Sequence, residues 1–93
     1  MPQAPPPLAI GMITSVNPRK IERIVESTQR QVAEKLVELR ESNGLTQLQL
    51  SELAGIDRKT INRIENGHFS PSIDTLTRLA LALQVSISDL LGS

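Results

Sequence analysis

The chain has no cysteine, tryptophan or tyrosine, and one phenylalanine in 93 residues. Without cysteine there is no disulfide, no thiol nucleophile and no zinc–thiolate site. The scarcity of aromatics removes much of what builds a sheet, while leucine, alanine, glutamate, glutamine and arginine favour helix. An all-α fold is expected. Long apolar runs are also missing. The longest, LALAL at 79–83, falls far short of the roughly 20 residues a bilayer span needs. The first residues lack the basic and apolar regions of a secretory leader, so a cytoplasmic location is the expectation, with no membrane partner. Histidine occurs once, at His68, and neither a glycine-rich phosphate loop nor a metal-ligand cluster is present. No cofactor, no metal and no catalysis are expected.

Charge of one sign is not in excess either: ten basic residues meet ten acidic ones. Neutrality argues mildly against a polyanionic partner. It does not describe distribution, however. Arg58, Lys59 and Arg63 crowd together opposed only by Asp57, while acids gather in Glu34, Glu38, Glu41 and Glu52. A neutral chain of this kind can carry one positive face.

Five of the six prolines stand at or before residue 18. Residues 1–17 read as a flexible or extended arm, because consecutive prolines remove backbone donors and favour polyproline geometry. Residues 18–93 form the helical domain. Asn17-Pro18 is a cap followed by a proline at the first helical position. Beyond it Ile21, Ile24, Val25, Thr28, Val32, Leu36 and Leu39 recur on one helical face. One helix of about 25 residues fits this pattern, as does a break near Ser27-Thr28 that leaves a short extra helix. Asn43-Gly44 stops it. Thr46 and Gln49 make a capping box for a second helix ending at Ala54-Gly55. Asp57 caps a third, closed by Asn66-Gly67. Ser72 caps a fourth, with Ile73, Leu76, Leu79, Ala80 and Leu83, and Ser86 with Asp89 opens a last short turn.

The third helix is short, polar and bounded by glycines. On a helical wheel Ile61 and Ile64 point one way, and Arg58, Lys59, Asn62, Arg63 and Asn66 fall within an arc of about 140° on the other. Each of these five donates hydrogen bonds, and arginine, lysine and asparagine are the side chains that read guanine and adenine edges in the major groove. An ordinary solvated face is the plainer reading. Two short helices joined around Gly55, with Ser51 and Ala54 small enough for a close crossing, make a helix-turn-helix spacing.

The stretch LRESNGLTQLQLSELAGIDRKTINRIENG, followed by PSIDTLTRLALALQVSISDLL, resembles the helix-turn-helix domain of the phage lambda repressor and Cro, the Xre family, over about residues 32–91. The resemblance implies a five-helix DNA-binding domain, here with an N-terminal extension. Gln47 matches a phosphate-contacting position at the start of the second helix. Arg58 and Lys59 match positions that meet base edges, and Asn62 and Arg63 positions that meet bases or phosphates. Asn66 and His68 match the phosphate-holding loop, and Thr60 lies between the two faces. Arg40 and Glu65 match a largely buried salt bridge between the first and third helices, the alternative for Arg40 being a phosphate contact.

Proteins of this kind bind double-stranded DNA as homodimers on near-palindromic sites, with recognition helices about 34 Å apart. Dimer contacts are expected from Ile87, Leu90 and Leu91 or from Ile21, Ile24 and Val25, unless those residues are core. The function implied is a transcriptional regulator, most simply a repressor. The alternative is an antitoxin that binds DNA by the same helix and a toxin through its N-terminal segment.

Overall fold

The computed structural model describes residues 17–92. Among them the fold is all helical, with five helices: α1 Pro18–Ser42, α2 Gln47–Ala54, α3 Arg58–Glu65, α4 Ile73–Leu83 and α5 Ile87–Leu90. The arm expected over residues 1–17 lies outside the described residues except for Asn17.

Asn17 accepts the Arg19 N–H at 2.9 Å and Pro18 occupies the first turn, so α1 starts where its local chemistry dictates. Of the two arrangements open for residues 18–42, a single helix is the one formed. No glycine or proline follows Pro18 before Ser42, and the Thr28 hydroxyl donates back to the Ile24 carbonyl at 2.9 Å. Asn43 ends the helix with both its backbone N–H and its amide on the Leu39 carbonyl, and Gly44 turns at φ +68°.

The remaining helix starts follow the same logic. Thr46 and Gln49 exchange both bonds of a capping box, and Ser86 and Asp89 do likewise. Those hydrogen bonds from the Ser86 backbone and hydroxyl hold the Asp89 carboxyl below its ordinary range. Gly55 closes α2 in the left-handed region, φ +67°, and the Ile56 N–H reaches back to Ser51. At the end of α4 the same conformation is taken by Gln84, φ 57°, where a side chain pays a steric penalty that glycine does not.

The core is aliphatic. Val32 and Leu36 from α1, Leu50 and Ala54 from α2, Ile61 and Ile64 from α3, Leu76, Leu79, Ala80 and Leu83 from α4 and Leu90 from α5 form one cluster. α3 packs on α1 and α2, while α4 and α5 close the other side. The buried Ser51 hydroxyl is satisfied by the Leu48 carbonyl at 2.6 Å. Leu90 is fully enclosed and Ile87 is half-buried against the same cluster, so for Leu90 the expected dimer contact gives way to an intramolecular one. Of the C-terminal set, Leu91 is the exposed residue.

The Arg40–Glu65 pair is made, and it is bidentate. Arg40 Nε donates to Glu65 Oε2 at 2.7 Å and Nη2 to Oε1 at 3.0 Å, while Nη1 donates to the Leu45 carbonyl at 2.8 Å. The two side chains are 14% and 6% exposed. The hydrogen bond to Glu65 raises the Arg40 pKa above its ordinary value against the opposing effect of burial. Arg40 is thereby committed to the protein rather than to phosphate.

Replacing Arg40 alone with methionine should destabilise the domain by about 3–5 kcal/mol, since a buried carboxylate is left uncompensated. The double change Arg40→Met with Glu65→Leu should recover part of this but leave about 1–3 kcal/mol, because the Leu45 carbonyl loses its donor. A double-mutant cycle in urea measures both. Gln84→Gly should raise stability by about 0.5–1 kcal/mol by relieving the left-handed residue, seen as a higher urea midpoint at unchanged slope.

Candidate nucleic-acid interface

The site is built on α3. Asp57 accepts the Lys59 N–H at 3.3 Å to start the helix, and Ile61 and Ile64, essentially unexposed, anchor it in the core. Anchoring two residues three apart fixes the roll of the helix, so the opposite side must face outward. Arg58, Lys59, Asn62, Arg63, Asn66 and His68 are all exposed, and Thr60 is half-buried between the two faces. Gln47 at the first turn of α2 is also half-buried. It joins Arg58, Lys59 and Asn62 around a polar cleft of about 270 Å³. Around the end of α3, Arg63, Asn66 and His68 surround a second hollow of about 190 Å³ together with Phe69, a wall that spacing alone does not reveal.

Among the described residues, no ion pair involves Arg58, Lys59 or Arg63; the pairs formed are Lys35–Glu38, Arg40–Glu65 and Arg78–Asp74. Three cations therefore project from one short helix without an acidic partner. Such a surface attracts an anionic ligand, and its donors suit phosphate oxygens and the acceptor edges of bases.

Gln47, expected to contact phosphate, has intramolecular partners in this structure. Its Nε2 donates to Glu65 Oε1 at 3.0 Å and to Asn62 Oδ1 at 3.4 Å. Both protons of the amide are thus directed at protein acceptors. The backbone N–H groups of Gln47 and Leu48 open α2 without a carbonyl behind them and can also meet a phosphate. The link from Gln47 to Glu65 spans eighteen positions, so no local pattern announces it.

The two sets of expected dimer residues meet elsewhere on the surface. Residues 18–28 of α1 are exposed throughout, with Ile21 45%, Ile24 56% and Val25 42% exposed. Ile24, Val25 and Thr28 face Pro71, Leu76 and Leu91 across an apolar groove of about 250 Å³. Gln29 closes one edge of it, donating to the Ser70 hydroxyl at 2.6 Å. Among the described residues there is no group of three or more potential metal-ligating His, Cys, Asp or Glu side chains, and no helix is long and apolar enough to cross a membrane.

Comparison with known proteins agrees with this geometry. The helix-turn-helix family HTH_3 matches residues 36–90, from the last two turns of α1 to α5. The immunity repressor protein of Bacillus phage phi105 is 34% identical over 61 residues, covering 66% of this chain and 42% of that protein. The HTH-type transcriptional regulator PuuR of Escherichia coli (strain K12) is 36% identical over 55 residues, 59% of this chain and 30% of that one. The chain thus spans less than half the length of either relative. Among solved structures, the restriction-modification controller protein C.AhdI from Aeromonas hydrophila superposes with a TM-score of 0.66 at 31% identity, over 69% of this chain and 97% of that one. An HTH_3 family transcriptional regulator from Vibrio cholerae gives 0.69 at 32% identity, over 73% and 38%. The chain belongs to the helix-turn-helix family of lambda repressor and Cro, a family of DNA-binding transcriptional regulators.

Proposed function

We propose that this chain is a DNA-binding transcriptional regulator of the repressor type, acting as a homodimer in which each subunit reads half of a near-palindromic operator. The observation that carries the reading is the set of three cations on α3 without an acidic partner, Arg58, Lys59 and Arg63, held outward with Asn62 by Ile61 and Ile64. On this reading the N-terminal residues of α3 enter the major groove deepest, so Arg58 and Lys59 meet base edges. Arg63, Asn66 and His68 lie toward the far end and hold phosphates. Binding would block the operator by occupancy.

The homodimer is proposed to form through the groove between the start of α1 and Leu91. With Leu90 enclosed, the exposed apolar residues of both candidate sets line or border this one surface. A second reading, an antitoxin that binds DNA through α3 and a toxin through its N-terminal segment, is favoured by the same exposed stretch of α1. It differs in what fills the groove.

Selection from randomised duplex DNA should yield a short palindromic consensus for the wild-type protein. Arg58→Ala should lose preference at one position per half-site at a cost of about 1–3 kcal/mol, and Arg63→Ala should weaken all sequences alike and flatten the salt dependence by about one phosphate contact. Sequence-blind binding by the wild type would overturn the regulator reading. Separately, Ile24→Glu should convert the dimer to a folded monomer in analytical ultracentrifugation. Operator affinity should then fall at least about tenfold, while half-site binding is kept. A dimer that survives this change leaves the groove to a different protein and favours the antitoxin.

A further inference from the structure

The buried ion pair and the exposed recognition surface are joined by a chain of hydrogen bonds whose direction is chemically forced. An arginine guanidinium only donates and a carboxylate only accepts. Glu65 takes two bonds from Arg40, and its Oε1 takes a third from Gln47 Nε2 at 3.0 Å. Gln47 must therefore turn its NH₂ group toward Glu65, since the reverse rotamer would set a carbonyl against a carboxylate. The second proton of that NH₂ points at Asn62, 3.4 Å away, so Asn62 must offer its carbonyl. The opposite flip of Asn62 would set one NH₂ against another. Each amide orientation follows from the one before it, beginning at a pair that is 14% and 6% exposed.

The consequence falls on the outer end of Asn62. With its carbonyl turned to Gln47, its NH₂ is the free end, on an exposed residue one turn beyond Arg58. We propose that Gln47 acts as a positioning residue that fixes the polarity of Asn62, so that Asn62 meets DNA as a hydrogen-bond donor and selects a base carrying an acceptor on its major-groove edge. Guanine offers O6 and N7, thymine O4 and adenine N7, whereas cytosine presents only its amino donor. Cytosine is the base this arrangement rejects. The inference rests on the DNA-binding reading above and adds to it the identity of one specificity-determining side chain and of the residue that aims it.

The test compares the wild type with Asn62→Asp and Gln47→Ala. Aspartate at 62 keeps an oxygen for Gln47 and replaces the outer donor with an acceptor. In selection from randomised duplexes, one position per half-site should deplete cytosine about five- to hundredfold in the wild type, the range that one good base contact supplies. The same position should turn toward cytosine or adenine in Asn62→Asp and lose its preference in Gln47→Ala, the rest of the consensus being kept in both. A consensus unchanged at every position in Asn62→Asp, with affinity lowered uniformly, would assign Asn62 to phosphate and overturn the inference alone. Absence of any wild-type consensus would overturn the regulator reading and this inference with it. A readout that needs no DNA is side-chain amide exchange by NMR. The Gln47 NH₂ protons should exchange with water more slowly than those of Asn62, and the reverse order overturns the proposed polarity.

Discussion

The geometry of this domain depends on one ion pair. Arg40 reaches from the last turn of α1 to Glu65 at the last residue of α3, and its third contact holds the carbonyl of Leu45 in the turn that leads to α2. A single guanidinium thereby ties together α1, α3 and the entry to the helix between them. Taking two charges out of water is costly, and an apolar pair of the same volume often stabilises a fold equally well. What an apolar pair cannot supply is direction. The planar fork meets the carboxylate through Nε and Nη2 while Nη1 is held by the Leu45 carbonyl, which restricts how far α3 advances along α1. Glu65 has acceptor capacity left over, and Gln47 uses it, so the constraint extends to the first residue of α2. No buried side-chain polar atom among the described residues is left without a partner, the condition under which such a network specifies a structure rather than weakening it.

Around this pair the packing is plain. The buried cluster contains aliphatic side chains from all five helices, with Phe69 packed against its edge, and the small residues Ser51 and Ala54 are buried on α2. Zero net charge is reconciled with a cationic surface by segregation. Glu34, Glu38 and Glu41 line one side of α1 together with Val37, while Arg58, Lys59 and Arg63 leave from α3. A polyanion approaching such a molecule is attracted by one face and repelled by another, so the charge pattern orients the encounter without raising the total charge.

Much of this was legible because helix boundaries are decided locally. Thr46 with Gln49, Ser86 with Asp89, Asn17 before Pro18 and Gly55 after Ala54 act within four residues of themselves, and each marks the end that its spacing announced. The outward arc of α3 was legible for the same reason, since Ile61 and Ile64 alone fix its roll. Two kinds of feature were not. Periodicity places Leu90 on an apolar face but does not say whether the neighbour is the same chain or another, and here it is the same chain. Nor does spacing reveal a hydrogen bond between Gln47 and Asn62, which depends on how two helices cross. Sequence shows what the Gln47 amide can donate, not that Glu65 and Asn62 accept from it.

The first turns of α1 follow from the same stripe of residues. Ile21, Ile24 and Val25 continue the face that carries Val32 and Leu36, so one amphipathic helix is half consumed by the core and half exposed. Isolated helical turns gain little from propensity, and most of their stability comes from packing of the apolar face. The exposed half therefore depends on its Asn17–Pro18 start, on continuity with the buried half, and on whatever covers the groove. In the dimer proposed above, that cover would be the second subunit. Because the same helix carries Arg40 in its last turn, a load applied at Ile24 would be carried along a continuous hydrogen-bonded rod to the ion pair that positions α3. Association at one end of α1 and the aim of the recognition helix at the other would then be set by one rigid element, which is what a dimer reading two half-sites at fixed spacing requires.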